Sequence, residues 1–309
     1  MARKKKTDSN VFVLTRDNYY TPEADMAYMS CSQYDSWLEC EAATVAKLQG
    51  RHKAEPTEAF LVGNYVHTYL EGEKAHAEFL DENADSIFKF KTDKKTGDII
   101  ITGKYAPYEK ADRMIEALYK QPIIRHFIEA EGENEVIMHG EIFGMPWRIR
   151  LDKLLLKENT IIDYKTVADM HKTEFNPKTG QRESFVELYG YTRRGAIYTE
   201  VYKQFTGKKD VDPYFLLLCV TKQDIPDTDA LMLNHRERYN FELEEVKKHL
   251  VRIRRIKNGE IKPLRCGKCD YCRSTKVIRR VRPYWELTPG FEGEKEEDEY
   301  FFGSLQAQA

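Results

Sequence analysis

The chain has 309 residues, a formal net charge of -2 at pH 7, 41% hydrophobic and 32% charged residues. These values are typical of a soluble globular protein with one large or two modest domains, and they exclude a disordered chain and a globally basic nucleic-acid binder. No apolar stretch approaches the ~20 residues that span a bilayer, and the basic start at residues 1–6 lacks the apolar segment of a secretory signal. We therefore expect a cytoplasmic protein without membrane contact, whose cysteines stay reduced.

Helical and strand patterns alternate along the chain. Helices are predicted at 22–50, 57–82, 106–130, in a Tyr-rich segment ending near 205, and at 241–258; strands are predicted at 135–144, 147–156, 160–166 and 214–221. This order predicts an α/β fold with a central mixed β-sheet flanked by helices on both faces. We expect a flexible N-terminus at 1–20, one domain at 21–288, and an acidic disordered tail at 289–309.

Two apolar patterns bring acidic residues to one end of a predicted hairpin. Residues 147–156 and 160–166 are rich in Ile, Leu and aromatics, and a charged break at 157–159 separates them. They read as consecutive strands joined by a tight turn, so that Asp152 and Asp163 can lie side by side. Because two buried carboxylates repel each other and lose hydration, a cation must compensate them. The pattern predicts a site for Mg²⁺, which prefers oxygen ligands.

Other side chains complete this predicted site. A strand carbonyl can add a third oxygen, and Tyr164 is counted among the metal ligands in this way although its side chain points to the opposite face. Lys165 shares a strand face with Asp163, and its ammonium can orient a water and stabilise phosphate charge. Upstream, an apolar helical pattern carries Gly63 four residues before His67.

The ordered set resembles a known nuclease superfamily. Gly63-x3-His67, then Asp152, then Asp163-x-Lys165, then an aromatic helix, is similar to the PD-(D/E)xK nucleases in their RecB-like branch. A narrower likeness, to the phage-borne relatives of exodeoxyribonuclease VIII (the RecE type), is carried by the runs at 28–34, 40–43, 140–144 and 265–272. The likeness covers roughly residues 20–280. It implies a restriction-endonuclease-like core with helical N-terminal and Cys-containing C-terminal extensions.

The resemblance also implies a role for each residue. His67 becomes a metal ligand from a helix through its neutral imidazole, Asp152 and Asp163 become ligands from the sheet, and Lys165 becomes the catalytic lysine. In such sites Mg²⁺ or Mn²⁺ lowers the pKa of bound water and stabilises the leaving oxyanion. The residues alone assign the same roles to the two aspartates and the lysine.

One position departs from the family pattern. RecB-like nucleases carry Gln-x3-Tyr after the lysine strand, whereas this chain has Arg194 at the glutamine position and keeps Tyr198. Arginine can grip a phosphate as a charged fork, or it can repel the metal or displace Lys165. Arg194 and Tyr198 are therefore candidate catalytic residues, with a surface helix position as the alternative for Arg194.

Four cysteines form a second motif, which is typical of a metal centre. Cys266, Cys269 and Cys272 form C-x2-C-x2-C, and Cys40 is the natural distant fourth ligand. Iron–sulfur proteins use this spacing with a remote cysteine, whereas structural zinc more often uses two separated pairs. The resemblance also implies a structural [4Fe-4S] centre that clamps the two ends of the chain. Zinc and free thiols remain alternatives.

Positive charge concentrates in one late segment. Twelve Lys and Arg residues lie between 252 and 282, opposed only by Glu260 and Asp270. Such density suits phosphate tracking, although a solvated helix face is the alternative. The candidate DNA contacts are Arg252, Arg255, Lys276, Arg279 and Arg280, and segment 262–282 also holds the cysteine run. The polar loop at 171–184, after the lysine strand, is either a further DNA contact or a spacer.

The sequence and its resemblance together predict a Mg-dependent exodeoxyribonuclease that acts on duplex DNA ends. By likeness it acts 5′ to 3′ in phage-type recombination, beside a single-strand annealing protein and as a homo-oligomer. A DNA-binding recombination factor with a nuclease site impaired by Arg194 is the alternative from another functional class. A nuclease with single-strand preference is a third hypothesis.

Overall fold

The computed structural model describes residues 12–53, 57–176, 180–278, 281 and 284–287. The predicted acidic tail, the first eleven residues of the predicted N-terminus, and the candidate DNA contacts Arg279 and Arg280 lie outside these ranges. Residues 12–20 lie against the sheet, where Arg16 donates to the Asn134 carbonyl at 2.8 Å. No helix in the described ranges is long and apolar enough to cross a membrane.

The chain forms helices and strands in the following order. The helices are α1 Pro22–Ala27, α2 Cys31–Glu39, α3 Glu41–Leu48, α4 Glu58–Glu71, α5 Glu73–Glu82, α6 Ala84–Ile87, α7 Ala106–Lys120, α8 Pro122–Glu129, α9 Phe185–Leu188, α10 Tyr191–Thr206, α11 Arg236–Lys257 and α12 Asp270–Ser274, with a 3-10 turn at Tyr284–Leu287. The strands are β1 Phe88–Thr92, β2 Ile99–Lys104, β3 Glu133–Ile142, β4 Met145–Leu155, β5 Thr160–Val167, β6 Thr173–Asn176, β7 Gln181–Ser184, β8 Tyr214–Thr221 and β9 Thr228–Met232.

A five-stranded mixed sheet organises the fold. Its order is β3-β4-β5-β8-β9, in which only β5 and β8 run parallel. The two parallel strands lie at the centre and are buried along most of their length, as expected for strands covered on both faces. The predicted α/β class with a central mixed sheet is confirmed.

Alternating side chains of the central strands feed two cores. Ile161 and Val167 of β5 pack on the face covered by α2, α10 and α11. Ile162 and Tyr164 pack on the opposite face, which α4, α7 and α8 cover. The period of two in a strand thus places one helical layer on each side of the sheet.

The structure divides the predicted helices and adds strands. The helix predicted at 57–82 is interrupted at Gly72, whose φ of 144° a side chain would not tolerate. Strands β1 and β2 pair as a small hairpin that the sequence did not predict, and the predicted loop at 171–184 contains a second antiparallel pair, β6 and β7. Both hairpins are short and largely exposed, so they lack the apolar alternation that marks a strand in sequence.

Candidate active site

Side chains from one helix and two strands converge at the end of the β4–β5 hairpin. His67 comes from α4, Asp152 from β4, and Asp163 and Lys165 from β5. The His67 Nδ1 atom lies 3.6 Å from Asp152 Oδ2, and the Lys165 Nζ atom lies 3.8 Å from the same oxygen. The sequence therefore predicted a set of residues that the fold brings within contact distance.

The pairing of β4 with β5 ends just before the two aspartates. The β4–β5 pairing runs from Leu155 to Lys153 and ends where Lys153 opposes Ile162. At the next position the Asp152 carboxylate, rather than its backbone, accepts the Tyr164 N–H at 2.8 Å. This hydrogen bond holds Asp152 in place and satisfies a backbone donor that has lost its strand partner.

Oxygen atoms from three residues surround the Lys165 ammonium. Nζ lies 2.5 Å from Asp163 Oδ2 and donates to the Tyr164 carbonyl at 2.8 Å. The Tyr164 side chain is buried in the core on the other face, so this residue offers the site its carbonyl alone, as expected. The two aspartates and this carbonyl form a group of hard oxygen donors of the kind that Mg²⁺ prefers.

Charge and burial set the protonation of the site. Burial would raise the pKa of Asp163, but the charges of Lys165 and Arg194 outweigh that effect and lower it. Burial lowers the pKa of His67, because a protonated imidazole would lose its hydration there. An ionised carboxylate and a neutral imidazole are the forms that bind a divalent cation.

Helix α10 places Arg194, which stands where the family pattern has glutamine, inside the site. The Arg194 Nη1 atom lies 3.4 Å from Asp163 Oδ1, whereas Lys165 contacts Oδ2 of the same carboxylate. Burial would lower the pKa of Arg194, but the Asp163 charge raises it well above its usual range. One turn later, Tyr198 is buried and donates to the Arg150 carbonyl at 3.2 Å. Arg194 is thus next to the aspartate, and Tyr198 braces β4.

The site opens into a cavity of about 560 Å³. The sequence did not identify the other residues that line it. Additional lining residues are Tyr19, Tyr20, Ser30, Ser32, Phe60, Glu135, Arg148 and Arg150. Both arginines precede Asp152 by even steps on β4, so the period of a strand could have revealed them. Glu135, with a φ of 57°, lies across β3–β4 beside Asp152 and is ion-paired with Arg150. The sequence does not indicate this positive φ, because a glutamate seldom adopts it.

The four predicted cysteines lie together at a second location. All four sulfur atoms of Cys40, Cys266, Cys269 and Cys272 lie within 4.8 Å of one another. Two of the separations are 3.6 Å, from Cys40 to Cys272, and 3.9 Å, from Cys266 to Cys272. A tetrahedral ion with metal–sulfur distances of ~2.3 Å separates its sulfurs by about 3.8 Å. The group therefore fits a tetrathiolate metal centre.

Two cysteines of the group have pKa values shifted in opposite directions. Hydrogen bonds from the Lys268 and Cys269 backbones lower the pKa of Cys266 to about 6, which favours its thiolate. The Cys272 N–H lowers the pKa of Cys269, but burial and the neighbouring thiols outweigh it and raise that pKa to about 12. Around the group, Glu41 joins distant segments, because its carboxylate accepts from Arg252 Nε and from the Leu264 N–H, both at 2.6 Å. These contacts of Glu41 connect α3 with α11 and with the segment after it.

The described members of the basic segment differ in their surroundings. Arg252 forms a bidentate ion pair with Glu41, so its guanidinium is engaged in holding the cysteine region. Arg255 is exposed and lies 3.4 Å from Glu260, and Lys276 is exposed. DNA contact by any of these residues stays a prediction.

Comparisons with known proteins agree with this geometry. The family described as "PDDEXK-like domain of unknown function (DUF3799)" matches residues 30–275. A crystal structure from Eubacterium rectale, of a protein named "Putative exonuclease", is 31% identical to this chain, with a TM-score of 0.80. The match covers 91% of this chain and 100% of that one. No curated protein matches the chain. The resemblance to the PD-(D/E)xK superfamily is confirmed, and the narrower RecE likeness stays a prediction.

Proposed function

The chain belongs to the PDDEXK-like family DUF3799, and from this membership and the site geometry we propose that it is a metal-dependent exonuclease acting on duplex DNA ends. The coarser assignment, to a nuclease, follows from the family and from a structural neighbour named as an exonuclease. The observation that carries the proposal is the convergence of His67, Asp152, Asp163 and Lys165 at one end of a hairpin.

Each residue of the site has a task in this reaction. His67, Asp152, Asp163 and the Tyr164 carbonyl would hold Mg²⁺ or Mn²⁺, which supplies an activated water and neutralises phosphate charge when bound. Lys165 moves its ammonium from the carboxylates to the scissile phosphate, where it orients the water and offsets developing negative charge. Arg194 donates to a non-bridging phosphate oxygen as a charged fork.

Linear and circular duplex DNA, each incubated with Mg²⁺, test the activity. We expect degradation of the linear form alone, and we expect Lys165→Ala to reduce the rate by about two to three orders of magnitude, the scale of losing one charge-stabilising donor. Lys157→Ala is the matched control, because Lys157 lies in the turn of the same hairpin with its side chain 80% exposed. Cutting of both forms would indicate an endonuclease instead.

A second candidate function rests on Arg194. Its guanidinium contacts Asp163 Oδ1, so it competes with any cation for that oxygen, and a site impaired in this way suits a DNA-binding recombination factor. Duplex binding without cleavage at any Mg²⁺ or Mn²⁺ concentration would favour this factor over the exonuclease. A labelled single strand offered beside duplex tests the third hypothesis, of single-strand preference.

The finer parts of the proposal rest on the resemblance. These are 5′ to 3′ polarity, a role in phage-type recombination, an annealing-protein partner and a ring-like or other homo-oligomer. Duplexes labelled at one 5′ or one 3′ terminus give the polarity, since release of labelled mononucleotide from the 5′ label at early times supports it. Light scattering of the purified protein gives the subunit number.

We also propose that the four cysteines hold a structural metal centre. The C-x2-C-x2-C spacing with a remote cysteine supports a [4Fe-4S] cluster, whereas sulfur separations of 3.6 and 3.9 Å support a single zinc ion. Iron and zinc content of the purified protein, with absorbance near about 400 nm for a cluster, separates them. Cys269→Ser should lower the metal content and the unfolding temperature without changing the chemistry of the nuclease site.

A further inference from the structure

The inner wall of the active-site cavity contains an arginine with unused donors. Arg148 lines the cavity and is only 2% exposed. Its Nη2 atom donates to Asp25 Oδ1 at 2.5 Å, but Nε and Nη1 have no hydrogen-bond partner among the residues that the structure describes. Buried donors without partners cost free energy, and two on one guanidinium point to an acceptor that binds there.

Neighbouring groups make this wall suitable for an anion. The Arg148 N–H donates to the Met29 carbonyl at 2.9 Å, and this contact brings the start of α2 beside the arginine. There Ser30 caps the helix through the Gln33 N–H at 3.2 Å, and the Ser30 and Ser32 hydroxyls lie 3.3 Å apart on the cavity wall. A helix N-terminus and hydroxyl groups both favour negative charge.

One face of the guanidinium is closed. The Tyr19 ring lies under Arg148, with its centroid 4.8 Å from Cζ, and Asp25 occupies one edge. These contacts fix the guanidinium and balance part of its charge. The neighbouring Arg150 differs, because Glu135 already engages its guanidinium. Arg148 is thus a wall arginine with two buried donors, Nε and Nη1, that have no partner among the described residues.

Position along β4 relates the arginine to the predicted chemistry. Arg148 precedes Asp152 by four residues of one strand, so the two share a face and their Cα atoms lie about 13 Å apart at the usual rise per residue. A phosphate bound by Arg148 is then a different phosphate from one held at Asp152. Both can belong to one strand of nucleic acid, since one cavity joins them.

We infer that Arg148, with the Ser30 and Ser32 hydroxyls, forms a second phosphate subsite, which binds a phosphate of the substrate strand away from the scissile bond. This inference rests on the proposed nuclease function and deepens it. The ligand is a phosphate group, supplied either by a terminal phosphomonoester or by an internal phosphodiester. Filling the subsite would set the distance between the bound phosphate and the cleaved bond.

Equilibrium DNA binding tests the subsite without cleavage. The Lys165→Ala protein, in a metal-free buffer, is titrated with short duplexes that carry a 5′-phosphate, a 3′-phosphate or neither. Adding Arg148→Gln should weaken binding about ten- to one-hundredfold, the scale of a hydrogen-bonded charge, and should reduce the salt dependence by about one counterion. Loss confined to one phosphorylated end identifies a terminal phosphate, and equal loss on all duplexes identifies an internal one.

Two further variants separate binding from folding. Arg148→Gln leaves Asp25 without its partner, so Asp25→Asn combined with Arg148→Gln restores neutrality and should show the same loss of affinity. Lys74→Gln removes the same charge from a side chain that is 91% exposed, and it should change affinity less than about twofold. Unchanged affinity in the folded double variant on all three duplexes would overturn the subsite. Cleavage of linear duplex by the wild type judges the nuclease proposal separately.

Discussion

Replacing Arg194 by glutamine should make the site bind metal more easily and turn over more slowly. Arg194 lies 3.4 Å from Asp163 Oδ1. At an effective dielectric constant of ~20, the gross attraction over this distance is about 5 kcal/mol. Because both groups lose hydration in the pair, the net contribution is smaller, and mutational data on hydrogen bonds to charged groups indicate about 1.5–3 kcal/mol.

This energy opposes a cation that binds the same carboxylate. Removing the Arg194 guanidinium should therefore lower the Mg²⁺ concentration for half-maximal activity by about ten- to one-hundredfold, at 1.4 kcal/mol per factor of ten. At saturating Mg²⁺ the rate should fall at least about tenfold, because the phosphate loses a charged donor. The two effects act in opposite directions, so the activity curves of wild type and variant against Mg²⁺ should cross.

The measurement is the initial rate of linear duplex digestion over a range of Mg²⁺ concentrations. Arg194→Lys is the control, since it keeps the charge and should keep the high metal requirement. A variant that needs as much Mg²⁺ as the wild type would show that the guanidinium does not compete with the metal. An Arg194→Gln protein with higher activity at all concentrations would instead show that the arginine only impairs the site, as the alternative function requires.

His67→Ala should raise the half-saturating Mg²⁺ concentration about tenfold or more through loss of a ligand, and isothermal titration with Mn²⁺ checks this against unchanged circular dichroism. The pKa of Cys266 is lowered to about 6 and that of Cys269 is raised to about 12; because all four thiols must lose their protons to bind a metal, the apparent metal affinity should weaken as pH falls. Chelator competition at several pH values measures this, and an affinity independent of pH would contradict the assignment. Gly195→Ala would place its Cβ 2.3 Å from the Tyr239 hydroxyl oxygen. The clash should cost about 1–3 kcal/mol, seen as a lower unfolding temperature, and an unchanged midpoint would mean that Tyr239 moves freely.

Local sequence patterns were enough for four of the five strands of the central sheet and for much of the site. The apolar runs of β4 and β5, broken by charge at 157–159, determine a hairpin because strand periodicity assigns each side chain to a face. The same periodicity places Lys165 on the face of Asp163. The order of motifs then identified the superfamily, which the family match confirmed.

Other features depend on contacts between distant segments. The hairpins β1–β2 and β6–β7 and the edge strand β9 lack strong apolar alternation, so their strands form only when a partner supplies hydrogen bonds. The resemblance placed Arg194 near the site, but residue spacing alone could not indicate its contact with Asp163, since the two residues lie 31 positions apart and meet only when α10 packs against the sheet.

By itself, therefore, the sequence determined which chemical groups this protein has and on which strand face or helix they lie. Only the tertiary structure decided which of them meet. His67 contacts Asp152, 85 positions away, because α4 packs against the strands β4 and β5. Tyr19 and Asp25, which precede α2, contact one face and one edge of the Arg148 guanidinium and leave Nε and Nη1 without a partner among the described residues. Periodicity is a property of neighbouring residues, whereas convergence and burial depend on how whole elements pack.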